Sequence, residues 1–250
     1  VGKTLRGGVR RSHRPSSSLP LAQGGLGIAA ARTLTPPVSV SVICPTRNRP
    51  ERHPGLYDVF QKQDYPDADL WVLDDSETPS SYLHYIAARD LRVHYVHSAF
   101  PLTIGAARNE MLRRCSGAVV AHFDDDDWYA PTYLSSMVKR LLDTDSDLVK
   151  LAAWTDRSDI DNTRFVYDAR RKSDNNLWGW GFSYVYRRHV ATRVSFHEQR
   201  VRGGGNVCED YPFVLGLRAA GMKTTLVDGH ATLAEHVWHG DNNTGWHVDG

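Results

Sequence analysis

Cysteine and methionine are scarce in this chain, with three of each in 250 residues. Cys44, Cys115 and Cys208 are too few and too far apart for a disulfide framework, and no CxxC pair points to zinc or thiol redox chemistry. Buried, reduced thiols in a cytoplasmic protein are what such usage predicts. Long apolar runs are missing too. None approaches the roughly 20 residues of a membrane-spanning helix, and Leu26 to Ala31 is too short for a secretory signal core, so neither an integral membrane segment nor export is expected. Gly2-Lys3-Thr4 lacks the glycine loop that precedes a Walker-type phosphate site.

A dominant charge is also lacking, the formal net charge being +1. The distribution is uneven. Lys3, Arg6, Arg10, Arg11, Arg14 and Arg32 fall in the first 37 residues with no acid among them, which leaves 24 basic against 29 acidic residues in the body. A net −5 body argues against a nucleic-acid partner. With 41% hydrophobic and 24% charged residues the composition is that of an ordinary globular protein.

Residues 1–37, rich in Gly, Ser, Pro and Arg and without sustained periodicity, are expected to form a disordered basic leader. From Val38 the pattern is α/β. Val38 to Ile43 alternates β-branched and polar residues and is expected to stop as a strand at Pro45. Leu56, Val59, Phe60 and Gln63 then recur at helical spacing, and Leu70 to Leu73 forms a strand that ends in Asp74-Asp75. Val93 to Val96 reads as the next strand, and Ile104, Ala107, Met111 and Cys115 as one helical face. Val119 to Phe123 is a buried strand delivering Asp124 to Asp127. Leu134, Met137, Val138, Leu141 and Leu142 mark an amphipathic helix led by Pro131 at an early helical position. Such alternation predicts one domain with a mostly parallel central sheet flanked by helices, its ligand site at the carboxyl ends of the strands. From about Asp147 the chain is richer in Trp, Gly and His and weaker in period, and is expected to extend the same domain.

Four adjacent carboxylates repel one another unless a cation offsets them. Oxygen ligands favour Mg²⁺ or Mn²⁺, and Mg²⁺ commonly binds through one or two carboxylates together with substrate phosphates. A nucleotide diphosphate is the natural third party.

The segments VSVICPTRNRPE, WVLDDSE, IGAARNEMLRRCSGAVVAHFDDDDWYAPTYL, GNVCEDYPFVLGLRAAG and HVWHGDNNT, in that order, resemble family-2 glycosyltransferases of the GT-A (Rossmann-like) fold over roughly residues 38–245. The resemblance implies a nucleotide-sugar-binding half over 38–146 and an acceptor-binding, catalytic half over 147–250 of the same domain. Pro45, Thr46 and Arg47 would lie beside the nucleobase, with a carboxylate of Asp74-Asp75 accepting a base N–H, commonly from uracil, and Arg108 against base or phosphate. Arg47 stands where many relatives have an aromatic residue, and a guanidinium can also stack on a base. A DxD register makes Asp124 the ribose or metal neighbour and Asp126 the direct metal ligand, with Asp125 beside them; a shift by one residue is an open alternative. Asp210 is implied as the base that deprotonates the acceptor hydroxyl, Glu209 as its neighbour, and His239 as a late ligand of metal or diphosphate, with His236 its competitor. Trp178 and Trp180 would serve either acceptor stacking or the core, and Gly203 to Gly205 either a loop over the site or a linker.

The function so implied is inverting transfer from a nucleotide diphosphate donor, a UDP-sugar by the resemblance, with Mg²⁺ or Mn²⁺. The acceptor is a glycan, lipid-linked molecule, peptide or small molecule. A nucleotidyltransferase or a non-catalytic sugar-nucleotide-binding module of the same fold are the alternatives. The first would carry a glycine-rich loop that PTRNRPE lacks.

Overall fold

The computed structural model describes Val1, Gly8 and residues 37–199, 208–228 and 231–239, and its elements all lie in the unit Pro37–Gly250. The stretch expected as a leader is, apart from Val1, Gly8 and Pro37, outside the described residues, as are Gly203 to Gly205 and Gly240 to Thr244.

In chain order the described elements are β1 (Val40–Thr46), α1 (His53–Gln61), β2 (Ala68–Asp74), α2 (Ser81–Ala87), β3 (Val93–His97), α3 (Ile104–Arg114), β4 (Val119–His122), β5 (Trp128–Tyr129), α4 (Tyr133–Asp143), β6 (Leu148–Leu151), β7 (Ala153–Ser158), β8 (Arg164–Asp168), α5 (Asp174–Trp178), β9 (Val185–Arg187), α6 (Asp210–Ala219), β10 (Thr224–Val227) and β11 (Ala234–Trp238). Seven strands form the central sheet in the order β10-β6-β9-β4-β1-β2-β3. It is parallel except at β9, which runs antiparallel to both β4 and β6. A second sheet, β5-β11-β7-β8, is drawn mainly from the later half of the chain.

Burial on both faces explains the continuous apolar reading of the inner strands. Val40, Val42, Leu70, Val72, Val119 and Ala121 pack toward α1, α2 and α4, while Ile43, Leu73 and Val120 pack toward α3 and α6. Three details differ from the sequence reading. β1 runs through Pro45 to Thr46, with Pro45 registered on Leu73 of β2. The short α2 had gone unread, since its seven residues bury only Leu83 and hold by the Ser80 hydroxyl accepting from the Leu83 N–H at 3.2 Å. Pro131 lies before α4 and not within it. Of the thiols, Cys44 and Cys115 are buried as expected, but Cys208 is exposed at the approach to α6. Among the described residues no helix is long and apolar enough to cross a membrane.

α4 tests the packing. Leu134, Met137, Val138 and Leu141 face the core, whereas Leu142, placed on that face by its spacing, is 41% exposed. Leu141→Ala is therefore expected to cost about 2–5 kcal/mol, and Leu142→Ala within about 0.5 kcal/mol. Urea-unfolding midpoints of the two variants measure the contrast, and equal losses would refute the assignment of the face.

Candidate active site

The carboxyl ends of β1, β2 and β4 lie side by side in the sheet, so the polar clusters that follow them meet at one edge. The acidic run is held as a tight loop between β4 and β5. Phe123 and Tyr129 stack with centroids 3.9 Å apart and planes 3° from parallel. The Tyr129 hydroxyl accepts from the Asp124 N–H at 3.0 Å and donates to the Phe182 carbonyl at 3.0 Å. Tyr129 is thus core, whereas neighbouring Trp128 is 39% exposed.

Each aspartate of the run has a basic partner, Arg49 being shared between Asp125 and Asp126. Asp127 is buried against His236, Nδ1 to Oδ1 3.0 Å, and also accepts the Val237 N–H at 2.9 Å. Asp125 accepts from Thr46 Oγ1 and, at 3.0 Å, from Arg49. Asp126 Oδ2 lies 2.8 Å from Arg49 and 2.7 Å from His239 Nε2. Asp124, 3.8 Å from Arg108, keeps a side chain 32% exposed. Burial and then the neighbouring Asp127 push the Asp124 carboxyl well up, against the pull of Arg108. Burial raises Asp125 and Asp127 as well, opposed by Thr46 and Arg49 in the one case and His236 in the other.

Arg108, on α3, ties the run to the start of α6. Its guanidinium donates to Glu209 at 2.6 Å and to Asp210. Burial alone would lower its pKa, but Asp210, Glu209 and Asp124 more than offset that and hold it a cation. Glu209, buried beside Asp210, is pushed up to about 7, with Arg108 opposing. Asp210 Oδ2 also accepts the Gly181 N–H at 2.9 Å. A Cβ at Gly181 would stand 2.0 Å from Asp210 Oδ1, so only glycine admits this approach. The two carboxylates therefore serve Arg108 and the Gly181 turn, and neither side chain caps its own helix.

At the β2 end the two aspartates differ. Asp74 is saturated by the Ser76 N–H and hydroxyl, the Ser80 N–H and the Tyr95 hydroxyl. Asp75 accepts only the Leu102 N–H, at 2.6 Å, and lies 3.9 Å from the half-exposed Arg47. Pro45 is half-buried within β1. Asn48 takes a left-handed backbone, φ 56°, consistent with a turn role, and Asn109 clamps the Phe196 backbone, donating at 2.9 Å and accepting at 3.0 Å. Trp178 is core, and Trp180 packs on Trp154 and His236.

The expected residues thus gather as two linked groups, Thr46 with Asp125, Asp126 and His239, and Asp124 with Arg108, Glu209 and Asp210. Sequence reading missed Arg49, His53 and Gly181. The signal for Arg49 was present, since four carboxylates need cations and this arginine follows β1 by three residues.

The sequence profile described as Glycosyl transferase family 2 matches residues 41–207. The chain belongs to glycosyl transferase family 2. It is 30% identical over 98 residues to WcaA of Escherichia coli (strain K12), named for glycosyl transfer in colanic acid biosynthesis, a match of 38% of this chain and 35% of that protein. Its fold is that of GT-A glycosyltransferases. It is similar to S. aureus TarS 1–349 in complex with UDP-GlcNAc, with TM-score 0.63, 19% identity and coverage of 80% of this chain and 58% of that one. It is similar also to the mannosyltransferase PcManGT from Pyrobaculum calidifontis in complex with GDP-Man and Mn²⁺, with TM-score 0.59, 21% identity and coverage of 79% and 56%. The chain spans about a third of the curated relative and under two thirds of these solved chains.

Among the described residues no group of three or more His, Cys, Asp or Glu is placed to hold a metal ion, so the expected set Asp124, Asp126 and His239 is not brought together as three ligands. The donor set nonetheless suits a hard divalent cation that arrives with phosphate oxygens. Asp124 is partly open, Asp126 follows two residues on, and His239 Nε2 already lies on Asp126.

The His236 pair makes a pH prediction. Burial lowers the imidazole pKa, but Asp127 outweighs it and lifts the group from 6.5 to about 9. A histidine raised in the folded state contributes fully below its unfolded value and loses that contribution as pH rises through the folded one. The stability gap between the parent and His236→Gln is therefore expected to be widest below pH 6.5 and to shrink, by on the order of 3 kcal/mol, as pH passes about 9. Denaturant titrations of the metal-free proteins across that window measure it; a gap that is constant or widens with pH contradicts the pairing.

Proposed function

We propose that this chain carries out metal-dependent, inverting transfer of a sugar from a nucleotide diphosphate donor, a UDP-sugar in the first instance, to an acceptor nucleophile. The observation that carries the reading is the meeting of Asp124 with Glu209 and Asp210 across the single guanidinium of Arg108. Residues more than eighty positions apart, one group suited to the donor's phosphates and one to an acceptor's proton, share one buried cation.

Within this reading residues 38–146 bind the donor and residues 147–250 the acceptor. Asp75, with an oxygen to spare, takes the base N–H in preference to the saturated Asp74, and Arg47 flanks the base. Thr46 and Asp125 shape the floor of the site, while Asp124, Asp126 and His239 would hold Mg²⁺ or Mn²⁺. That cation would supply positive charge against the departing diphosphate. Arg108 and the Gly181 N–H orient Asp210, and Asp210 accepts the acceptor's proton as the new glycosidic bond forms. One displacement at the anomeric carbon inverts its configuration. Family membership, and the nucleotide-sugar complexes of TarS and PcManGT, support the donor class. The Mn²⁺ of PcManGT supports the metal.

Thermal-shift screening of nucleotide sugars with and without Mn²⁺ tests the donor, since a ligand at 100 times its Kd stabilises by about 2.7 kcal/mol. No stabilisation by any nucleotide sugar would refute the reading. Once donor and acceptor are in hand, Asp210→Asn is expected to lower kcat by roughly 10²–10⁴-fold and to leave donor affinity within a few fold. Asp126→Ala is expected to weaken metal-dependent donor binding. Transfer by Asp210→Asn at the parent rate would remove Asp210 from its role.

A further inference from the structure

Arg49 bridges two carboxylates of the acidic run, one of them the Asp126 that the reading above assigns to a metal. One nitrogen, NH1, is 3.0 Å from Asp125 Oδ1 and 2.8 Å from Asp126 Oδ2, and the side chain is 22% exposed. Its two anchors are unequal. Asp125 is fixed from behind by Thr46 Oγ1, which contacts His53 Nε2 at 3.1 Å, and His53 Nδ1 contacts Ser80 Oγ at 2.8 Å. That chain of contacts holds Asp125 in place as an anchor for Arg49. Asp126 has no such backing. Its Oδ2 is shared between Arg49 and His239, so this oxygen can exchange one cation for another.

We propose that Arg49 is a built-in counter-ion that occupies Asp126 until a divalent cation arrives, then pivots on Asp125 and presents the released N–H groups to the donor's diphosphate. A divalent ion and a guanidinium on the same carboxylate oxygen repel each other, so occupancy of Asp126 by one expels the other. A planar guanidinium, once released beside two phosphates, matches their oxygens bidentately. Metal binding without donor is thereby opposed and metal binding with donor favoured, which couples the two ligands through one side chain. The inference rests on the metal-dependent donor reading given above.

The experiment separates the two. Mn²⁺ affinity in the absence of nucleotide is read from the free-ion signal in electron paramagnetic resonance. UDP affinity at saturating Mn²⁺, or GDP affinity if the donor screen selects guanosine, is read by calorimetry, in the parent, Arg49→Gln and Arg49→Lys. Arg49→Gln is expected to bind Mn²⁺ roughly tenfold more tightly and the nucleoside diphosphate roughly tenfold more weakly, a charged hydrogen bond being lost on each side. Arg49→Lys, which keeps the charge but not the fork, is expected to hold Mn²⁺ as the parent does while weakening the nucleotide. A residue that merely supports the fold would lower both affinities of Arg49→Gln together, and that result, or an unchanged Mn²⁺ affinity, overturns the proposal. A parent protein that binds Mn²⁺ neither alone nor with nucleotide overturns the metal-dependent reading and this inference with it. Binding in the parent with no opposed shift in the variants overturns this inference alone.

Discussion

A buried guanidinium surrounded by three carboxylates is the constraint on which the rest of the site is built. Arg108 contacts Asp124, Glu209 and Asp210 and is only 3% exposed, so bulk solvent does little to soften an unmatched charge. Leaving a buried ion unpaired costs several kcal/mol, so α3, the β4 loop and the start of α6 are held in mutual register by one side chain. Packing supplies the dryness. Phe196 lies under the guanidinium and stacks on Phe213 of α6 with centroids 4.0 Å apart, while Asn109, one residue on, fixes the Phe196 backbone. A Cβ at Gly105 would collide with the His197 carbonyl, so the first turn of α3 is also shaped to receive this segment.

The acidic run looks uniform in sequence and is not uniform in the fold. Asp127 belongs to His236 and the core, Asp125 to Thr46 and Arg49, Asp126 shares one oxygen between Arg49 and His239, and Asp124 lies 3.8 Å from Arg108 with a side chain still partly exposed. Four adjacent carboxylates are tolerated because the chain brings its own basic groups from the loop after β1, from α3 and from β11. The sequence argument that a divalent ion must offset them was therefore incomplete. The protein offsets most of the charge itself, and a metal would have only the Asp124 and Asp126 positions to enter.

The frame of the molecule was readable because it is aliphatic and periodic. Val40 and Val42, Leu70 and Val72, Val119 and Ala121, Met137 and Leu141 lie where a period of two or of 3.6 puts them. The strand-end rule also places Thr46, Asp75 and Asp124 at one edge. What escaped has physical reasons. α2 buries a single leucine, too little for a periodic signal. Asp74 and Asp75 are identical in sequence, and only the positions of Ser76, Ser80, Tyr95 and Leu102 set them apart. Arg108 reads from sequence as lying against base or phosphate, and its contacts to Glu209 and Asp210 stay hidden because those partners are about a hundred residues downstream.

The later half reads poorly for a different reason, namely that its core is made of rings and buried charge. Trp154 is enclosed by Tyr167, Trp180 and Phe182, and His236 lies against Trp180, Phe182 and Trp238. Lys150, fully buried on β6, has its ammonium 4.5 Å from the Trp154 ring and donates to the Leu151 carbonyl at 2.9 Å; burial brings its pKa down to about 7, against the pull of Asp210. Asp156, between His236 and Trp154, is lifted to about 6, chiefly by burial. Such groups fill space without alternating along the chain, because a tryptophan reaches across two strands and a paired ion can point inward from a polar position. The same choice of residues bears on the site. A core of aliphatic side chains could close behind Asp127 but could not hold its charge, whereas His236 places a cation 3.0 Å from it, so the second half supports the acidic face electrostatically as well as by packing.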